Sequence, residues 1–119
     1  MKQSIIPILV IGAAAVGFIW VVGFKDQPAS VLDGFAQCLA QKGATMYGAD
    51  WCSHCQNEKK AFGASFRFVP YVECPDNPQQ CLKENIQGYP TWIFPDGKRL
   101  EGEQGIQKLS LESGCALQQ

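Results

Sequence analysis

From Ile5 to Phe24 the chain reads IIPILVIGAAAVGFIWVVGF, twenty residues without a charged or strongly polar side chain. A helix of that length, at about 1.5 Å per residue, spans about 30 Å, the hydrocarbon thickness of a bilayer. It is apolar on every face, unlike the one-sided helix of a soluble core. Pro7 falls in the first turn, where its missing N–H matters little. Trp20 lies near the far end, where interfacial aromatics gather. The alternative is a cleaved secretory signal. Signal cores are shorter, about 7–15 residues, and the KDQPAS that follows offers no small-x-small cleavage site. Lys2 and the free amine on one side, against Lys25 offset by Asp26 on the other, favour the N-terminus inside and the following domain exported. The expectation is a single-span anchor over 1–24, a polar linker over 25–29 and one folded domain over 30–119.

About ninety residues then remain to fold, enough for one modest core. Charged residues are 18% of the chain, and 10 Lys plus Arg against 11 Asp plus Glu leave a net charge of −1. A nucleic-acid binder working through a basic field is excluded, since it needs a strong cationic excess. Aromatics at 11% exclude a disordered acidic tail.

Ser30 is placed to cap a helix through VLDGFAQCLAQK, with Val31, Phe35, Cys38 and Leu39 on one face and Gly43 as the stop. ATMYG (44–48) reads as a buried strand, and 53–64 as a helix broken near Gly63. FRFVPYVE (66–73), aromatic and β-branched, predicts a second strand. A Pro/Asn/Gln-rich loop over 74–80 precedes a short helix to about Ile86 with Gly88 as its stop. TWIF (91–94) and KRLEG (98–102) flank Pro95-Asp96-Gly97 and predict a hairpin. Residues 106–113 form a last helix with apolar positions at 106, 109 and 111. A strand-helix-strand start implies parallel pairing through a right-handed crossover, and the hairpin adds an antiparallel edge. The predicted fold is α/β: a mixed four-stranded sheet with helices on both faces.

The chemistry centres on Cys52-Ser53-His54-Cys55, which follows a predicted strand and opens a predicted helix. Unpaired N–H groups and the positive end of the helix dipole favour an anion there. Cys52, at the exposed end, is the expected nucleophile; Cys55, one turn on, is the resolving thiol. His54 lies within reach of the sulfur, where an imidazole N–H can stabilise the thiolate and make the pair a stronger oxidant; the plainer reading is a solvated helix residue. Trp51 is expected to shield the rim of the site. A zinc site is disfavoured: there is no second C-x-x-C, and Cys74-x6-Cys81 has poor ligand spacing. The reading calls for no metal and no cofactor.

YGADWCSHCQNEKKAF followed by GYPTWIF resembles the thioredoxin superfamily, in particular the thioredoxin-like domain fused to, or partnered with, bacterial vitamin K epoxide reductase homologues. The resemblance covers about residues 33–114. It implies that Pro90 is a cis-proline beside the C-x-x-C. It also implies that the backbone of Tyr89 pairs with substrate chain, with Trp51, Tyr89 and Pro90 forming the substrate-binding rim. It places a structural disulfide at Cys74–Cys81. Thioredoxin itself carries a buried Asp six residues before its nucleophile, as proton acceptor for the resolving cysteine; here that position is Met46, and Asp50 is expected to be exposed.

Six cysteines in a small exported domain fit a disulfide-permissive compartment. If the first and last helices pack side by side, Cys38 and Cys115 can bridge them; otherwise Cys38 is a small buried hydrophobe and Cys115 a free thiol. The functional expectation is an anchored thiol–disulfide oxidoreductase acting on cysteine-containing exported proteins as an oxidant. The resemblance implies a quinone-linked membrane partner similar to vitamin K epoxide reductase. An extracytoplasmic reductase or isomerase, and a non-catalytic peptide-binding module, are the alternatives.

Overall fold

A computed structural model describes residues 30–117. The anchor expected over 5–24 and the linker over 25–29 lie outside the described residues. Among the described residues no helix is long and apolar enough to cross a membrane.

The elements run α1 (Asp33–Gln41), β1 (Thr45–Gly48), α2 (Ser53–Phe62), β2 (Tyr71–Glu73), α3 (Pro78–Lys83), β3 (Thr91–Ile93), β4 (Arg99–Glu101) and α4 (Ile106–Ser113). The sheet order is β2-β1-β3-β4. β1 and β2 are parallel, joined through α2, while β3 pairs antiparallel to β1 and β4 closes the hairpin. This is the mixed four-stranded sheet the sequence predicts.

Because side chains alternate across a strand, the register sorts the sheet into two faces. Met46, Gly48, Tyr71, Glu73 and Trp92 share one; Tyr47, Val72 and Ile93 share the other. The first face is covered by α1, α2 and α4 through Phe35, Leu39, Phe62 and Leu109. The second is covered by α3 and the turn after it, through Cys81 and Ile86. Trp92 is fully buried at the centre, with Phe62 6.0 Å away and Phe35 stacked on Phe62 at 5.8 Å. At about 2–3 kcal/mol for each large buried side chain, this aromatic column is a major part of the core.

Four local expectations are corrected. Ser30 does not cap α1: Leu32 occupies that position with no side-chain bond. Asp33 acts in the reverse sense, its carboxylate accepting from the Ser30 N–H at 3.0 Å. Burial works against the Asp33 charge, but that N–H, the Ser65 hydroxyl and the Arg67 guanidinium outweigh it and hold the carboxyl below its ordinary range. Val31 and Leu111, expected on apolar faces, are exposed; Val31 precedes the helix and Leu111 lies on the outer side of α4.

The other two corrections concern element bounds. Residues 66–68 are not strand: Gly63–Phe68 forms a 3-10 turn of helix, and β2 begins only at Tyr71. The Phe66 ring folds back onto Phe62 (5.9 Å) and Tyr71 (5.6 Å), so its apolar surface is used by the helix layer rather than by an alternating strand. Finally, α3 stops at Lys83, short of Ile86, because Asn85 takes a left-handed φ of 53°. It begins at Pro78, inside the predicted loop, where proline's fixed φ suits a first helical position.

Gly43 ends α1 as predicted, at φ 73°; a Cβ there would lie 2.6 Å from Pro95. Cys38 and Cys115 form a disulfide (S–S 2.09 Å) that ties α1 to the chain after α4 across 77 residues. Cys74 and Cys81 form a second (2.11 Å) across 7. Chain entropy assigns these about 4.5 and about 2.5 kcal/mol of stabilisation.

Candidate active site

The C-terminal end of β1 turns through Ala49, Asp50 and Trp51 and enters α2 at Cys52. Cys52 is the helix N-cap, with extended backbone (φ −78°, ψ 118°), and its Sγ accepts the Cys55 N–H at 3.2 Å. A thiol therefore takes the place a serine or aspartate usually holds, within the ring of unpaired N–H groups that opens a helix. Cys52 keeps 8% of its surface and Cys55 none. The sulfur an outside thiol can meet is that of Cys52. Both are free thiols, while the other four cysteines are paired.

The Tyr89–Pro90 peptide is cis. This loop brings the Tyr89 carbonyl oxygen to 3.6 Å from Cys52 Sγ. Pro90 is fully buried, and its own carbonyl is held by the Gly102 N–H at 2.7 Å, while the Thr91 hydroxyl donates to the Gly88 carbonyl at 2.8 Å. Trp51 is 71% exposed and meets the Tyr89 ring edge-on at 5.7 Å. Trp51, Tyr89 and Pro90 thus line one rim with Cys52 at its base.

His54 is placed differently. Its ring is exposed and its Nδ1 lies 3.3 Å from Glu103 Oε1, in the loop between β4 and α4. The hydrogen bonds of Cys52 Sγ go to the Cys55 N–H and the Tyr89 carbonyl, and neither involves His54.

Behind the pair, the sequence points only to Met46 and Asp50. Met46 is fully buried, so no carboxylate occupies that position. Gly48 faces Cys55 instead: a Cβ added there would meet Cys55 Sγ at 2.9 Å, the Tyr71 ring at 3.2 Å and the Tyr71 hydroxyl at 3.3 Å. The absence of a side chain at Gly48 lets the Cys55 thiol and the Tyr71 phenol share one small space. Tyr71 donates to Glu73 Oε1, and Glu73 Oε2 accepts the Asp50 N–H at 2.8 Å. Lys59 Nζ sits 4.0 Å from the centre of the Tyr71 ring and 3.5 Å from Asp50 Oδ1. Burial, with the hydrogen bond and charge of Cys52, pushes the Cys55 thiol up to about 12; an Ala49 backbone bond and the Lys59 charge work the other way. Burial, and then Glu73, raise the Tyr71 phenol well above its ordinary value. The alternation of Tyr71 and Glu73 along β2 was the available signal. In the sequence the aromatic run FRFVPYVE masks it, since all eight residues fit one strand.

One turn further along α2, Glu58 is fully buried. Its carboxylate accepts from Trp92 Nε1 (3.2 Å), the Gln104 N–H (2.8 Å) and the Gly105 N–H (2.7 Å). It ties α2 to β3 and to the start of α4. Among the described residues no three His, Cys, Asp or Glu side chains gather as metal ligands.

A parallel β1–α2–β2 unit, an antiparallel hairpin, a dithiol at the start of α2 and a cis-proline against its first sulfur together make an arrangement similar to a thioredoxin-like domain. Similarity to known proteins agrees at that level. The chain is 38% identical over 109 residues to Thiol-disulfide oxidoreductase LTO1 of Arabidopsis thaliana, a match covering 81% of this chain and 29% of that protein. It is 29% identical over 90 residues to Thioredoxin domain-containing protein 5 homolog of Drosophila melanogaster, covering 65% of this chain and 22% of that one. The chain therefore spans less than a third of the length of either relative. Fasciola hepatica thioredoxin superposes with a TM-score of 0.47 at 21% identity, over 61% of this chain and 79% of that one. The fold assignment rests on strand order and the site rather than on that superposition. No family model matches the chain.

Proposed function

We propose that this protein is a membrane-anchored thiol–disulfide oxidoreductase that oxidises cysteines of exported proteins in an extracytoplasmic compartment. The observation that carries the reading is the Cys52–Cys55 dithiol: one sulfur reachable beneath the Tyr89–Pro90 rim, the other sealed behind it. Two disulfides besides the Cys52–Cys55 pair support an oxidising compartment. The uncharged run over 5–24 supports the anchor.

In the cycle, a substrate thiolate attacks Cys52 Sγ of the oxidised pair, the Cys52–Cys55 bond breaks, and Cys55 leaves. A second substrate thiolate then attacks the substrate sulfur of the mixed disulfide and expels Cys52. The substrate gains a disulfide and the domain holds two electrons and two protons as a dithiol. A quinone-linked membrane partner resembling vitamin K epoxide reductase would reoxidise it, and an anchored domain meets such a partner at raised effective concentration.

The deciding measurement is the reduction potential of the pair, with the full-length protein equilibrated against glutathione. A value of about −120 to −200 mV places it with oxidants, and one near about −270 mV with thioredoxin-like reductants, which would reverse the proposed electron flow. Cys52→Ser is expected to abolish thiol exchange; unchanged biological activity in that variant would mean a peptide-binding module instead.

A further inference from the structure

With Met46 where thioredoxin keeps an aspartate, Cys55 needs another route for its proton. A fully buried thiol cannot exchange with water directly, yet it must lose a proton to attack a mixed disulfide at Cys52 and regain one when it leaves. Cys52 and Lys59 act on it from α2, and Tyr71 of β2 shares the space beside Gly48; Glu73 of β2 and Asp50, from the turn between β1 and α2, act in turn on Tyr71. The pairing of Met46 with Tyr71 and of Gly48 with Glu73 puts both β2 side chains on the face against which Cys55 packs. Gly48 opens the gap between sulfur and phenol. The Tyr71 hydroxyl donates a hydrogen bond to Glu73 Oε1, and Glu73 is partly exposed, so the line reaches solvent.

We infer that Tyr71 and Glu73 form the proton relay of the resolving thiol, with Tyr71 as the group that exchanges a proton with Cys55 Sγ. The inference rests on the oxidoreductase reading above. When Cys55 is to attack, its S–H bond breaks, the proton passes to Tyr71 Oη as the phenolic proton passes to Glu73, and the products are a Cys55 thiolate, a neutral tyrosine and a protonated Glu73. When Cys55 is expelled from the active-site disulfide, the same protons return. The electron pair moves only between sulfurs. Tyr71 hands on a proton without staying ionised, which suits a phenol whose burial and carboxylate neighbour oppose its charge. Lys59 over the ring face and the Asp50 N–H on Glu73 Oε2 fix the pair in place.

The test follows the dithiol protein, full length, mixed with glutathione disulfide and quenched with acid over time at a series of pH values. Two phases are read by mass: capture of glutathione on Cys52, then its release by Cys55. Tyr71→Phe keeps the ring and its packing. It is expected to slow release by about a hundredfold, the ordinary scale of general acid–base catalysis, and to make the rate follow bulk hydroxide, while capture is unchanged. Glu73→Gln should slow release comparably, and the double variant no more than either alone. Release at the wild-type rate and pH profile in Tyr71→Phe overturns the relay. So does a slowing shared equally by both phases, since that is a distorted site. A wild-type protein that captures no glutathione overturns the oxidoreductase reading and the relay with it.

Discussion

Cys55 and Glu58 stand three residues apart on α2, both without exposed surface, and they are housed in opposite ways. Three donors converge on the Glu58 carboxylate from β3 and the loop before α4. Cys55 has the Cys52 sulfur on one side, a bare glycine on another, and a phenol that leads to a second carboxylate. Equal burial thus serves two ends. A buried polar group ringed by donors from several elements is a tie, because each donor would be stranded without it. A buried thiol with few donors keeps its proton until a relay takes it. The difference lies in how many rigid N–H groups aim at the atom, not in depth.

Removing the tie should give the largest effect on stability. Glu58→Ala strands the Trp92 indole N–H and two backbone N–H groups, and is expected to cost about 3–5 kcal/mol. Urea midpoints check this; a loss below about 1 kcal/mol would mean that water replaces the carboxylate and that the contrast is empty. Tyr71→Phe, which removes one hydrogen bond from the other pocket, should cost about 1 kcal/mol or less by the same assay.

Gly48→Ala sharpens the contrast from the thiol's side. The new methyl would sit 2.9 Å from Cys55 Sγ against a β-strand that cannot retreat. Overpacking of this kind costs about 1–3 kcal/mol. It should also slow glutathione release by separating the sulfur from Tyr71. Wild-type stability together with wild-type release would show that sulfur and phenol do not share that space.

The remaining effect is a pH dependence. Cys55 is raised from an ordinary 9.0 to about 12 in the folded dithiol. Above pH 9 the unfolded chain releases this proton while the folded chain keeps it, so the unfolded state binds fewer protons and stability falls as pH rises toward about 12. Below pH 9 both states hold the proton and the term vanishes. The disulfide form has no such thiol. Melting both forms on either side of pH 9 should show the dithiol losing ground to the disulfide only on the alkaline side; parallel curves would mean that Cys55 is not sealed.

Much of the sheet was legible because short strands bounded by Gly, Pro and Asp carry their own punctuation. ATMYG, TWIF and the Pro95-Asp96-Gly97 turn all appear within a residue or so of where the sequence puts them. FRFVPYVE misled because aromatics satisfy a strand pattern and a helix-packing pattern alike, and only the position of Phe62 decides that Phe66 turns back. Ser30 misled because a capping residue type was present while Asp33 made the local bond. Glu58 gave no signal at all: an acidic residue in EKK on a helix looks solvated until Trp92 and Gln104 arrive from 34 and 46 residues away.

The order of elements and the position of Cys52 and Cys55 at a strand-to-helix junction were settled by the sequence itself, since periodicity, turn residues and a four-residue motif are local. Tertiary structure alone decided what surrounds the second sulfur. Tyr71, Glu73 and Gly48 come together because β1 and β2 pair in parallel at one register. A shift of one residue would turn Tyr71 and Glu73 to the opposite face and leave Cys55 against Val72. Register is a property of the packed sheet, and the chemistry available to a buried thiol is inherited from it.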